Sequence, residues 1–165
     1  MSTRRNALLG IAALAGGVVL WRGPMPAPTA RVARTYEVTH TQAEWRARLT
    51  PGQFGVLRQA DTERPGSSPL DKETRAGTYH CAGCALPLFS SRTKYNSGTG
   101  WPSFYQALEN AVVEDTDTTW GMARVEALCR RCGGHLGHVF DDGPRPTGLR
   151  YCMNGLALNF TEQVA

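Results

Sequence analysis

Cys152 stands apart from the other four cysteines of this chain. It lies in the stretch Arg150-Tyr-Cys-Met-Asn-Gly-Leu-Ala-Leu-Asn-Phe160, whereas the rest form two Cys-x-x-Cys pairs, Cys81–Cys84 and Cys129–Cys132. If residues 149–154 form a strand, side chains alternate between its faces. Leu149, Tyr151 and Met153 then point one way, and Arg150, Cys152 and Asn154 the other. A thiol between a cation and an amide can be a nucleophile, and a thiolate next to a cation is stabilised. The same residue type also serves as a small buried hydrophobe, and this stretch alone leaves both readings open. The apolar positions change parity at Gly155, after which Leu156, Leu158 and Phe160 are out of step with the earlier set. A β-bulge at Gly155 is the expected cause, and bulges often lie beside active sites.

The two cysteine pairs are separated by 44 residues. Zinc is held by four thiolates in a tetrahedron, and paired knuckles are its strongest sequence signal. Tight turns at Gly83 and Gly133-Gly134 would bring two sulfurs of each pair to one side. One structural zinc ion tying distant parts of the chain together is therefore favoured over two disulfides. Disulfides remain the alternative if the protein is exported. A redox-active Cys-x-x-Cys fits less well, because neither pair lies in the strand–helix pattern of thioredoxin-like sites.

Gly134-His-Leu-Gly-His138 places two histidines three residues apart, suited to acid–base work beside a thiol. A regular strand would send His135 and His138 to opposite faces, so one of them is expected to be structural. Lys94-Tyr-Asn-Ser-Gly-Thr-Gly-Trp-Pro-Ser-Phe104 reads as a loop. In it Trp101, held between glycine and proline, either walls a small apolar pocket or packs into the core.

The elements that must position these residues follow from the rest of the chain. Eighteen glycines and ten prolines recur at short intervals, which favours strands and loops over a helix bundle. Thr41-Gln-Ala-Glu44 predicts a capped helix through Trp45 and Leu49, and Pro51 starts a second carrying Phe54, Val56 and Leu57. Residues 66–69 read as loop, and no chemistry is evident in residues 31–65. Two strands are expected at Ala111–Val113 and Trp120–Leu128, around the polar turn Asp115-Thr-Asp-Thr118.

Residues 1–30 differ in kind. They carry Arg4, Arg5 and Arg22 with no acid, and an apolar run of 15 residues from Ala7 to Trp21. That run is short for a bilayer span, which needs about 20 residues, and fits the apolar core of an export signal. Ser2-Thr-Arg-Arg-Asn-Ala-Leu-Leu9 is similar to a twin-arginine signal. Residues 1–30 are thus expected to be an export signal or an uncleaved amino-terminal membrane anchor, with residues 31–165 as one domain placed in the periplasm or at the outer face of the inner membrane. A twin-arginine route would carry a folded, zinc-loaded protein. Beyond residue 30 the chain has 15 basic and 14 acidic residues, so the formal charge of +4 belongs largely to the leader. No clustered basic stripe for nucleic acid is present. Contact with a membrane is expected only through residues 1–30, and the domain is expected to act as a monomer.

In order, Cys81-x-x-Cys84, Ser97-Gly-Thr-Gly-Trp-Pro-Ser-Phe104, Cys129-x-x-Cys132, Gly134-His-Leu-Gly-His-Val-Phe140, Asp142-Gly-Pro144 and Arg150-Tyr-Cys152 with Asn154 closely resemble the motifs of the methionine-R-sulfoxide reductases, the B class of peptide-methionine sulfoxide reductases. The likeness runs from about Thr35 to Phe160. It implies a mainly β fold of two antiparallel sheets, with short amino-terminal helices and a structural zinc site of four cysteines. It implies that Cys152 is the nucleophile, with Arg150, His135, His138 and Asn154 in the active site. Trp101 would wall the pocket for the sulfoxide methyl group, and Cys81, Cys84, Cys129 and Cys132 would bind zinc. The implied reaction reduces methionine R-sulfoxide, peptide-bound or free, through a Cys152 sulfenic acid. Many family members carry a resolving cysteine two residues before this tryptophan; here Thr99 stands there. The expectation is a one-cysteine cycle in which an external thiol, such as a thioredoxin-like protein, reduces Cys152 directly. A zinc-ribbon binding module and a disulfide-exchanging oxidoreductase are the competing readings. The first needs no lone thiol, and the second needs metal-free cysteine pairs.

Overall fold

A computed structural model describes residues 34–118 and 121–164. The leader reading therefore lies outside the described residues. Two helices open the described chain. Helix α1 spans Gln42–Arg48 and α2 spans Pro51–Gln59, and each begins in a reciprocal capping box. Thr41 pairs with Glu44, and Thr50 with Gln53, so amide groups that the first turn leaves unpaired are satisfied. Pro51, in the first turn, loses no helical hydrogen bond. The helices bury Trp45, Phe54, Val56 and Leu57.

Nine strands follow among the described residues. They are β1 (Gly77–Cys81), β2 (Pro87–Ser90), β3 (Lys94–Tyr95), β4 (Ser103–Phe104), β5 (Val112–Asp117), β6 (Arg124–Cys129), β7 (His135–Phe140), β8 (Arg150–Met153) and β9 (Leu158–Glu162). They make a three-stranded sheet in the order β2-β1-β9 and a six-stranded sheet in the order β3-β4-β8-β7-β6-β5. Every pairing is antiparallel. The expected two-sheet, mainly β architecture is thus present.

The two sheets meet through aromatic side chains. Phe104 of β4 stacks on Phe89 of β2, centroids 4.4 Å apart, and meets Tyr79 of β1 edge-on at 4.9 Å. All three rings are fully buried. Truncating one such ring to alanine costs about 3–5 kcal/mol. Tyr151, paired with Phe104 and so on the same face of the large sheet, reaches Phe89 at 5.7 Å. That face is the core face. The opposite face carries Cys152.

Two expectations are corrected here. The chain does not bulge within one strand at Gly155. Strand β8 ends at Met153, residues 155–157 form a 3-10 turn, and β9 joins the other sheet. The parity change marks a switch of sheets, which leaves Leu156 exposed while Leu158 is buried. The residues read as a polar turn, 115–117, belong to β5 instead, and β6 starts at Arg124. Asp115 and Asp117 are polar because they lie on the site-bearing face, opposite Glu126 and Arg124.

Candidate active site

One transverse row crosses all six strands of the large sheet. Register pairs Tyr95 with Ser103, Ser103 with Cys152, Cys152 with His138, His138 with Glu126, and Glu126 with Asp115. Paired residues of antiparallel strands project from the same face. Cys152, on β8, is therefore flanked by a hydroxyl on one side and an imidazole on the other. Arg150, two residues before it, shares that face.

The two histidines occupy the same face, contrary to the expectation of opposite faces. Between β6 and β7, Leu128 pairs with His135 and Ala127 with Gly137. One step on β6 thus matches two on β7, and Leu136 is the extra residue of a bulge. The rings stand edge-on with centroids 5.3 Å apart. Gly137 follows the bulge because a Cβ there would collide with the carbonyl oxygen of Cys152.

Each histidine has a carboxylate partner that sequence reasoning missed. His135 Nδ1 lies 2.7 Å from Glu126 Oε1, both side chains buried, while His135 Nε2 has no hydrogen-bond partner among the described residues. His138 Nε2 lies 2.9 Å from Asp117 Oδ2, which also accepts from Arg124 Nη2 at 2.6 Å. Burial, with help from Arg124 and His135, lowers the His138 pKa, against the hydrogen bond that His138 donates to Asp117. The one available signal was Glu126, an acid amid the apolar run of β6.

Arg150 is braced from behind by a carboxylate. Its guanidinium grips Asp142 through two bonds of 2.7 and 2.8 Å and lies over the Phe140 ring at 4.2 Å. The bidentate pair lowers the Asp142 pKa. Burial raises the Cys152 pKa, outweighing the opposing pull of Thr99, Arg150 and Ser103. Arg150 thus favours the thiolate, as expected, but desolvation of the charged form is the larger effect on this buried sulfur.

Hydroxyls line the other side of the sulfur. Thr99 Oγ1 lies 3.9 Å from Cys152 Sγ, Ser97 Oγ lies 2.8 Å from Thr99 Oγ1, and Ser103 Oγ lies 2.7 Å from Ser97 Oγ. Trp101, in the same loop, is half-buried and donates its indole N–H to the carbonyl of Glu63 at 3.1 Å. Asn154 is buried and structural in its contacts: its amide donates to the Leu136 carbonyl and accepts from the Glu63 N–H.

The four remaining cysteines gather at one place. Cys81 ends β1 and Cys129 ends β6, so each knuckle closes a strand of a different sheet. Their sulfurs all lie within 4.8 Å of one another, with Cys81–Cys132 at 3.7 Å and Cys84–Cys129 at 3.5 Å. Four ligands at about 2.3 Å from a tetrahedral zinc stand about 3.8 Å apart, so this cluster could hold a zinc ion. None of the four is in a disulfide. Arg58 donates to the Cys132 carbonyl at 3.1 Å and to its sulfur at 3.7 Å, placing a cation against the cluster.

The two sheets, the four-sulfur cluster and the lone cysteine on the central strand define a SelR-domain protein, and that domain matches residues 49–162. Three relatives agree. Proteins of Leptospira interrogans, Thiobacillus denitrificans and Pseudomonas putida strain W619 are 54%, 58% and 54% identical to this chain. The matches cover 78%, 73% and 75% of this chain and 98%, 92% and 94% of theirs. Each bears the name peptide methionine sulfoxide reductase MsrB. The chain belongs to the family of peptide methionine sulfoxide reductases MsrB.

Proposed function

We propose that this protein reduces methionine R-sulfoxide in peptides and proteins to methionine, with Cys152 as nucleophile. The observation that carries this reading is the row Ser103–Cys152–His138, which sets a thiol beside a carboxylate-anchored imidazole. Sulfoxide sulfur is electrophilic, and its oxygen leaves only when protonated. The Cys152 sulfur attacks the sulfoxide sulfur, and the thiol proton passes through His138 to the sulfoxide oxygen. The protonated oxygen passes from the substrate sulfur to the Cys152 sulfur as the substrate S–O bond breaks; the transient bond between the two sulfurs breaks with it, methionine departs with that electron pair, and Cys152 is left as a sulfenic acid. The thiol is oxidised by two electrons and the sulfoxide is reduced by two.

The supporting roles follow from position. Asp117 holds the His138 ring, and Glu126 holds His135 beside it. Arg150, braced by Asp142, contributes positive charge to the face where the thiolate develops. Trp101 seats the methyl group, and Asn154 holds the bulge that carries the histidines. Cys81, Cys84, Cys129 and Cys132 bind one zinc ion, which would tie the ends of the two sheets together without entering the reaction. The other four cysteines being so engaged, an external thiol, of the thioredoxin-like class, would attack the sulfenic acid and release water. A second external thiol would then attack the mixed disulfide, freeing Cys152 and leaving the donor as a disulfide.

The deciding experiment supplies R- and S-sulfoxide peptides to the full chain and to Cys152→Ser, with dithiothreitol as reductant. Turnover of R alone, lost in the variant, is expected. Turnover of neither epimer by folded, zinc-loaded protein would overturn the reading. Residues 1–30 would direct export, supported by Arg4-Arg5 and the apolar run after them. Replacing both arginines by lysine is then expected to leave the protein in the cytoplasmic fraction, and unchanged fractionation refutes it.

A further inference from the structure

The segment after α2 carried no chemistry in the sequence, yet it touches both the Trp101 loop and the end of the Cys152 strand. At its centre Glu63 is 8% exposed, an unusual place for a carboxylate. Its carboxylate accepts from the backbone N–H groups of Gly155 and Leu156, at 2.5 and 3.2 Å, just beyond the Cys152 strand. Its own N–H donates to the Asn154 side chain at 3.0 Å, and Asn154 in turn bonds the Leu136 carbonyl at the histidine bulge. Its carbonyl accepts from the Trp101 indole at 3.1 Å. Three residues on, Gly66 donates to the Gly100 carbonyl at 2.7 Å, a second tie to the loop that bears Trp101. Gly155 permits this approach, since a Cβ there would strike the Ser68 side chain.

Resting on the reductase reading above, we propose that Glu63 is a positioning residue of the substrate pocket. It clasps the Trp101 loop to the end of the Cys152 strand and so sets the distance between the methyl-binding wall and the nucleophile. The physical logic is one of anchoring. The backbone of residue 63 holds the indole, but that backbone is itself on a segment without regular structure. The carboxylate fixes it, because a buried carboxylate bonded to two amides is a strong, directional tie. Removing the carboxylate leaves two buried N–H groups unpaired and frees the segment. Trp101 is then no longer held at one height above Cys152.

The test is a double-mutant cycle in the full chain, with R-sulfoxide peptide as substrate. Glu63→Ala is expected to raise KM about tenfold, with a smaller effect on kcat. In a Trp101→Ala background the same change is expected to alter KM less than about twofold, since the residue it positions is gone. Equal KM effects in both backgrounds, or none in the native background, would overturn the proposal. Glu63→Gln keeps the shape but an acceptor oxygen for only one of the two amides, and is expected to raise KM by about threefold, less than alanine does; it also serves if the alanine variant does not fold, and a native KM in it would count against the clasp. A readout independent of turnover is the Trp101 emission, taken as the difference between native protein and Trp101→Phe. Glu63→Ala is expected to shift that signal, and an unchanged signal overturns the clasp. If the native protein reduces no sulfoxide while the emission still shifts, the function fails and the clasp stands.

Discussion

Thr99 occupies the position from which a second thiol could reach Cys152, and replacing it by cysteine should convert the catalytic cycle. Thr99 Oγ1 already lies 3.9 Å from Cys152 Sγ across 53 residues of sequence. A disulfide needs sulfurs about 2.05 Å apart, a closure of about 1.9 Å that a new rotamer and a small loop movement can supply. In Thr99→Cys, the Cys152 sulfenic acid would be attacked at once by the neighbouring thiol, with loss of water. The resulting cross-link closes a loop of that length, which chain-entropy arguments value at up to about 4 kcal/mol, on the order of a 10 °C rise in Tm for the oxidised form. The assay is intact mass after a single turnover without reductant, in the presence of a sulfenic-acid trap. Native protein is expected to carry the trap on Cys152. The variant is expected to lose two hydrogens, to evade the trap and to melt higher until dithiothreitol is added. Trapped sulfenic acid in the variant, or an internal disulfide to Cys152 in the native protein, would refute the reasoning.

Other expectations follow from the same geometry. Because burial raises the Cys152 pKa and Arg150 opposes that rise, alkylation of Cys152 should climb with pH through an inflection above the ordinary thiol value, and Arg150→Met should move the inflection higher; a rate flat down to pH 7 in native protein would contradict this. Stripping metal with a strong chelator, or Cys129→Ser, should lower Tm by at least about 10 °C, since zinc in small structural sites contributes about 10 kcal/mol or more; an unchanged melt, with metal content measured in parallel, would show the cluster to be dispensable. Tyr79 is fully buried with a hydroxyl that lacks a partner among the described residues, so Tyr79→Phe should stabilise the fold by about 1 kcal/mol; a lower Tm would mean that the hydroxyl is satisfied.

Local chemistry was legible in the sequence. The capping box at Thr41 and Glu44 and the proline at the start of α2 announce two short helices, because a helix end must satisfy its own amides from nearby residues. The cysteine pairs announce a metal cluster because each knuckle is set within one tight turn of chain. The motif order from Cys81 to Asn154 was enough to place the chain in its family. Tertiary structure alone decided the rest. Whether His135 and His138 share a face depended on one extra residue, Leu136, and a bulge exists only relative to a partner strand. Whether Gly155 bends a strand or ends it depended on which sheet the next strand joins. The carboxylates behind the histidines and Arg150, and the clasp at Glu63, are contacts between residues 8 to 93 positions apart. Side-chain parity and spacing are properties of a single strand or turn, but pairing across strands is fixed only when the whole sheet closes. For that reason the proposed nucleophile could be singled out in the sequence, while the groups that hold its neighbours in place could not.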